Sequence, residues 1–304
     1  MAIKLTFHTH KGGTGKTMLC YNTSTYLASL GYKVLCIDLD AQGSLTDILM
    51  HEWQMKYDVS LTKREVYWSC DNILTLEGTA TKDLFERIVP KEEIKIMKAT
   101  HGLDLIYMRP NDFSANGIMT DKQGIANFIS QIQTITEGYD FVFFDFPPTA
   151  TLYVLTILTK LDFFVIPQTV AANISATAGE ITVLKGLGVA DKILGIVLNR
   201  VVRGAKSHKN AEQQLREADG IDLFNHTIHN SVSIDTSIAY NTMLNKLSGG
   251  INAYNEIRNI TEEMLERIYV KQAIQLHHQT FTGTEAEKQR VIEFVKKKMQ
   301  KGAN

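Results

Sequence analysis

The sequence predicts an α/β protein, a mostly parallel β-sheet sandwiched by helices with a helical C-terminal end. Three observations carry this. Short, continuously apolar runs recur along the 304 residues, as expected of strands buried on both faces of a parallel sheet. Helical stretches separate them, and strands alternating with helices imply right-handed parallel crossovers. Polar motifs fall directly after the strands, where open α/β sheets bind their ligands.

The first strand runs from Ile3 to His8, and a helix starts near Lys16. On that helix Leu19, Tyr26, Leu27 and Leu30 share a face, Asn22 and Thr23 fill the intervening turn, and Gly31 stops it. Val34 to Ile37 is the second strand. Residues 45–120 are the least legible, of mixed polarity and suited to short helices, with a strand from Leu103 to Met108. A helix from about Lys122 to Glu137 leads to the apolar strand Phe141-Val142-Phe143-Phe144. Phe163 to Ile166 and Leu194 to Leu198 repeat the pattern. No repeat or low-complexity linker intervenes, so residues 1–270 read as one domain and 271–304 as its C-terminal helical extension.

Between the first strand and its helix lies Lys11-Gly12-Gly13-Thr14-Gly15-Lys16-Thr17. Three glycines let the backbone turn and approach a ligand, and their N–H groups with the helix N-terminus make a nest for a polyphosphate. Lys16 supplies a positive charge to the β/γ-phosphates and the Thr17 hydroxyl is placed to ligate Mg²⁺. The P-loop template is G-x-x-x-x-G-K-[ST], and here His10 stands where its first glycine would fall. After the second strand comes Asp38-Leu39-Asp40-Ala41-Gln42-Gly43, and after the Phe141 strand comes Asp145-Phe146-Pro147-Pro148. Carboxylates at strand ends beside a P-loop are costly if buried unpaired, and a Mg²⁺–triphosphate accounts for them. Asp145 falls in the Mg²⁺ shell, Asp40 is the better candidate for orienting the attacking water, and Asp38 can simply cap the next helix.

K-G-G-T-G-K-T resembles the deviant Walker A motif of the ParA/MinD family of P-loop ATPases, closest to the ParA-type partition ATPases. I-D-L-D-A-Q-G resembles that family's second signature, and Y-D-F-V-F-F-D-F-P-P its third. The resemblance implies a Mg²⁺-dependent ATPase, weak and partner-stimulated, that sandwiches ATP in a homodimer. Lys11 would then reach across to the partner's phosphates. Catalytic roles are implied for Lys11, Lys16 and Asp40, and a metal shell of Thr17, Asp40 and Asp145. The nucleotide would rest on Lys11, Gly12, Gly13, Thr14, Gly15, Lys16, Thr17 and Met18. Asn199, with Arg200, is implied at the adenine. Thr159-Lys160-Leu161-Asp162 has the form of a guanine-reading motif, yet it precedes a strand instead of following one.

ParA-type proteins bind DNA non-specifically as ATP dimers and segregate plasmids or chromosomal origins with a ParB-like centromere-binding partner. MinD-like proteins instead use a membrane or a protein scaffold. The formal charge of −1 provides no global attraction to nucleic acid, so any such contact is a local patch. Candidates are Arg203, Lys206 and Lys209 in a basic stretch, and Lys296, Lys297 and Lys298 on a basic amphipathic tail helix. An ordinary solvated loop, and a tail helix packed on its own domain, are the plain alternatives. Ile228-His229-Asn230-Ser231-Val232-Ser233 matches the family's I-P-R-N-V-R stretch but lacks both arginines.

Cys20, Cys36 and Cys70 show no paired spacing and read as reduced thiols of a cytoplasmic protein, no apolar run is long enough to span a bilayer, and association with the nucleoid is what the resemblance implies. An iron–sulfur reductase needs bridging cysteines that Cys70 cannot supply. A metabolic P-loop enzyme needs a substrate pocket of which the sequence gives no sign. His226-x-x-His229 and His277-His278 lack acidic neighbours, so they read as surface or core histidines. His8 and His10 flank the P-loop entry, where strand packing explains His8 as well as any role in the site does.

Overall fold

The computed structural model describes residues 2–50, 78–108, 117, 119–169, 174–218 and 220–280. Seven strands form one sheet, β1 (Ile3–Phe7), β2 (Val34–Asp38), β3 (Met97–Lys98), β4 (Asp104–Ile106), β5 (Phe141–Asp145), β6 (Phe163–Thr169) and β7 (Ile193–Asn199). Their order is β3-β4-β2-β5-β1-β6-β7, and every pairing is parallel except the short edge strand β3 on β4. The predicted strands are all present, β6 and β7 running three and one residues further than expected, to Thr169 and Asn199.

Alternation along each strand divides the core in two. Val142 and Phe144 of β5 join Leu35, Ile37, Ile166 and Leu198 on one face. There they pack under α3 (Thr81–Glu86), α4 (Lys122–Ile135), α5 (Leu152–Leu158) and α6 (Ile174–Gly186). Phe141 and Phe143 join Leu5, Phe7, Cys36 and Val165 on the other face. That side is covered by α1 (Lys16–Ser29), α2 (Ser44–Leu49), α8 (Val232–Ala239) and α9 (Ile251–Thr280). The remaining helix, α7 (Lys206–Glu217), follows β7.

The single buried face expected of α1 is corrected, since Leu30 on it is 54% exposed while residues off it are buried. Residues Met18 to Leu27 are buried almost all round, because the sheet lies on one side and Ile257, Ile260 and Met264 of α9 on the other. Several of its polar groups bond inward or sideways, while the Thr23 and Thr25 hydroxyls are buried without a hydrogen-bond partner. Asn22 Nδ2 donates to the Met18 carbonyl at 3.0 Å, and the Tyr26 hydroxyl to Glu262 at 2.8 Å. Cys20 and Cys36 are free and buried, as expected, while Cys70 and much of 45–120 lie outside the described residues. No helix among the described residues is long and apolar enough to cross a membrane.

Candidate nucleotide site

The strand order puts the carboxyl ends of β1, β2 and β5 side by side, and the loops beyond them converge. From β1 the chain turns through Gly13 (φ 74°) and Gly15 (φ 92°), left-handed positions that favour glycine. Gly15 sits directly before α1, and a Cβ there would run into the Asn199 amide. The loop therefore closes against β7 only because Gly15 has no side chain. Lys11, Gly12 and Gly13 are exposed, whereas Lys16 is buried, with Nζ 3.4 Å from the Lys11 carbonyl. Burial lowers the Lys16 pKa, and the nearby Asp145, Asp40 and Glu180 partly restore it.

Beside this turn the Thr17 hydroxyl donates to Asp145 Oδ2 at 2.7 Å. The other Asp145 oxygen is buried with no hydrogen-bond partner. Burial pushes this carboxyl up to about 7, repulsion from Asp40 adds to the rise, and the Thr17 hydroxyl and Lys16 oppose it. An orphaned carboxylate oxygen next to a hydroxyl fits a hard divalent cation, which takes oxygen ligands and keeps several waters. Asp40 is half-buried, and its Oδ1 accepts from the Gln42 N–H at 2.9 Å. Burial raises its pKa, against that hydrogen bond and Lys16.

Asp38 has a different role. Its Oδ2 accepts from the backbone N–H and hydroxyl of Thr46, at 2.9 and 2.8 Å, and its Oδ1 from the Asp40 N–H at 3.1 Å. It thus holds the first turn of α2 and the loop carrying Asp40, as the capping reading expects. Burial and the neighbouring Asp145 raise its pKa.

On the other flank, Asn199 ends β7, 1% exposed. Its Nδ2 donates to the Thr14 carbonyl at 2.7 Å, and its Oδ1 accepts from the Arg200 N–H at 2.8 Å, with Arg200 at φ 58°. One N–H and one lone pair of the amide remain unspent. They adjoin a cleft lined by Met18, Arg200, Asn230, Ser231, Ile234 and Asp235, among others. His229, Asn230 and Ser231, from the middle of the Ile228–Ser233 stretch, therefore form part of the wall of this cleft. Ile228 N–H donates to Leu198 O at 2.8 Å, and Val201 N–H to Ile228 O at 3.0 Å. Sequence reasoning missed Asn230, Ser231, Ile234 and Asp235 as site residues, since pairing with the end of β7 and not local spacing brings them here.

The remaining candidates scatter. Arg203 pairs with Glu256 of α9 at 2.6 Å, so the basic stretch is not free of acids in space. Lys206 and Lys209 lie on the first turns of α7, and Lys296, Lys297 and Lys298 lie outside the described residues. The Thr159–Asp162 segment sits at the amino-terminal end of β6, the end of the strands away from the P-loop, where Asp162 pairs with Lys4 of β1 at 3.1 Å, so it reads no base. His226 and His229 do have acidic companions, Glu263 and Glu256, each at 2.8 Å through Nδ1. These come from α9, beyond the reach of local sequence, and each histidine has its own. The side chains of His277 and His278 lie outside the described residues. His8 is fully buried at the loop entry, and burial, with His10 and Lys16 nearby, lowers its pKa to about 3.

A parallel sheet whose first strand feeds a glycine-rich turn onto a lysine-threonine helix start, with a strand-end carboxylate on that threonine, defines a P-loop nucleotide-binding protein. Residues 3–190 match the family described as an AAA domain. The chain is 26% identical over 266 residues to the chromosome-partitioning ATPase Soj of Thermus thermophilus, covering 85% of this chain and 93% of that protein. It shares its fold with apo McdA of Cyanothece, with a TM-score of 0.66 at 19% identity over 88% of this chain and all of that one. A putative plasmid partition protein of Borrelia burgdorferi bound to AMPPNP gives a TM-score of 0.64 at 19% identity, over 90% of this chain and all of that one. The chain belongs to this AAA-domain family, in its ParA/MinD branch of partition ATPases.

Proposed function

We propose that this chain is an ATP-driven switch that dimerises, binds DNA non-specifically in its ATP state and segregates plasmid or chromosomal DNA. A ParB-like partner would stimulate its weak hydrolysis and release it. The observation that carries this reading is the contrast between two lysines of one loop. Lys16 is buried in its own cradle, whereas Lys11 stands exposed on the rim, where a second protomer's phosphates can meet it. The name of the Thermus relative, a chromosome-partitioning ATPase, supports the same reading.

In this account the N–H groups of Gly12 to Thr17 and the Lys16 ammonium bind the phosphates, and Met18, Asn199 and Arg200 border the adenine. Thr17 and Asp145, with Asp40 nearby, would hold Mg²⁺, which neutralises charge developing on the γ-phosphoryl group. Asp40 orients the attacking water, which needs placement more than a strong base. Lys11 completes the partner's site, so hydrolysis and dimer opening are one event. Lys206, Lys209 and the tail lysines Lys296, Lys297 and Lys298 offer phosphate contacts for nucleoid DNA, with Arg203 contributing once released from Glu256.

A MinD-like surface is the second reading, favoured by the Glu256 partner of Arg203 and the missing arginines at 228–233. Asp40→Ala, held with ATP–Mg²⁺ or ADP, decides between them on random duplex DNA and on anionic vesicles in parallel. ATP-dependent, salt-sensitive DNA binding is expected. Vesicle binding alone transfers the reading to a membrane, and binding to neither overturns both.

A further inference from the structure

Immediately ahead of Lys11 the chain reads His8-Thr9-His10, and the extended backbone leaving β1 places residues two apart on one side. Glu180 of α6 reaches this side. His10 Nδ1 lies 2.8 Å from Glu180 Oε2, and His8 Nε2 lies 3.8 Å from Glu180 Oε1. The His10 N–H and the Thr9 hydroxyl also donate to Oε2, at 3.1 and 3.4 Å. The side chains of His8, Glu180 and His10 are 0%, 6% and 23% exposed.

A plain His10–Glu180 hydrogen bond uses one nitrogen and one oxygen of this group. It leaves both ring nitrogens of His8, Nε2 of His10 and Oε1 of Glu180 buried with no hydrogen-bond partner. Four orphaned polar atoms at one point are expensive. By contrast, His226 and His229 each sit on a glutamate alone, at the same 2.8 Å, with no second histidine. One ligand atom from each of His8, His10 and Glu180 falls within 4.8 Å of the other two. An ion with bonds of about 2.0–2.1 Å holds tetrahedral ligands roughly 3.3 Å apart, so the 2.8 Å His10–Glu180 pair must open and the 3.8 Å His8–Glu180 pair must close, each by about half an ångström, as the three side chains draw round the ion.

We infer that His8, His10 and Glu180 form a site for a divalent transition-metal ion, zinc by preference, that pins the entrance of the P-loop to α6. Two imidazoles and a carboxylate suit Zn²⁺, whereas Mg²⁺ takes oxygen ligands, so this site is chemically separate from the Thr17–Asp145 pair. The fourth position is left for water. The ion joins the residue preceding Lys11 to a helix following β6, and so fixes the stretch from which Lys11 projects.

The test is titration of nucleotide-free protein with Co²⁺, a coloured stand-in for Zn²⁺, in millimolar Mg²⁺, followed by displacement with Zn²⁺. One equivalent should give a visible ligand-field band of tetrahedral intensity, and Zn²⁺ should abolish it. Glu180→Gln and His10→Gln should each weaken Co²⁺ by more than the roughly tenfold that losing even an outer partner costs. His226→Asn, which breaks a lone His–Glu pair, should leave the titration unchanged. His10 is the most exposed of the three, so His10→Gln carries the test should Glu180→Gln fold poorly. No saturable band in the wild type, or equal Co²⁺ affinity in His10→Gln, overturns the inference.

Discussion

Asn199→Ala is the substitution that bears hardest on this geometry. Asn199 is 1% exposed and bridges β7 to the P-loop through its 2.7 Å bond to the Thr14 carbonyl and its 2.8 Å bond from the Arg200 N–H. Truncation orphans both backbone groups. Each buried group left without a partner costs about 1–3 kcal/mol, so a loss of roughly 2–6 kcal/mol is expected. At this chain length that lowers Tm by about 4–12 °C. The amide's remaining N–H and lone pair face the cleft, so the variant should also lose base discrimination. A well-placed bidentate contact to a base edge contributes about 1–3 kcal/mol, and the ATP-over-GTP preference should fall about tenfold or more. Calorimetric unfolding with and without Mg²⁺–ATP, and competition of ATP and GTP for one fluorescent nucleotide, measure the two effects separately. Asn199→Asp keeps an acceptor for Arg200 but sets a buried carboxylate against the Thr14 carbonyl, and should be at least as destabilising as Asn199→Ala. A Tm within about 1 °C of wild type together with an unchanged ATP:GTP ratio would refute both the brace and the base contact.

Three further outcomes follow from the same site. Thr17→Ala removes the hydroxyl on Asp145 Oδ2, a bond of the charged type at about 1.5–3 kcal/mol, so the Mg²⁺ needed for half-maximal ATPase should rise about tenfold or more. Lys11→Ala, in an Asp40→Ala background, should bind ATP as a monomer yet fail to dimerise in sedimentation. A persistent ATP dimer would remove Lys11 from the interface. Asp145 is raised to about 7 in the free protein, while Mg²⁺ requires the carboxylate, so binding of Mg²⁺–ATP below pH 7 must expel a proton. Its affinity should therefore climb with pH up to about 7 and then level off. Calorimetry in buffers of different ionisation heat should find proton release at pH 6 and little at pH 8. The same shift acts on stability with the sign of a raised acid. Between the ordinary carboxylate range and about 7 the native state holds the extra proton, so this group makes the free protein less stable as pH rises through that window.

What the sequence made legible was what the chemistry requires to be consecutive. A phosphate cradle needs its glycines, lysine and threonine on adjacent residues, and a strand-end carboxylate needs only an apolar strand before it, so Lys16, Thr17, Asp40 and Asp145 could be read one by one. Asn199 could be placed at the end of β7, but its role at a base came only from the resemblance. The cleft wall was not, because Asn230, Ser231 and Ile234 reach the P-loop through backbone pairing between the segments at Val201 and Ile228, a contact with no local signature. Helix α1 misled for a related reason: a helix covered on two sides has no polar stripe, and its cover, α9, lies more than two hundred residues away in sequence. That same helix rewrites the charge reading. Glu256 of α9 holds Arg203 on one oxygen and accepts from the backbone N–H of His229 on the other, so one carboxylate ties the basic stretch to the cleft wall. Arg203, which looked like part of an independent patch, is thus mechanically continuous with the residues bordering the cleft. A ligand in the cleft that shifted this wall would pull on Glu256, and with it on the ion pair that holds the already exposed Arg203.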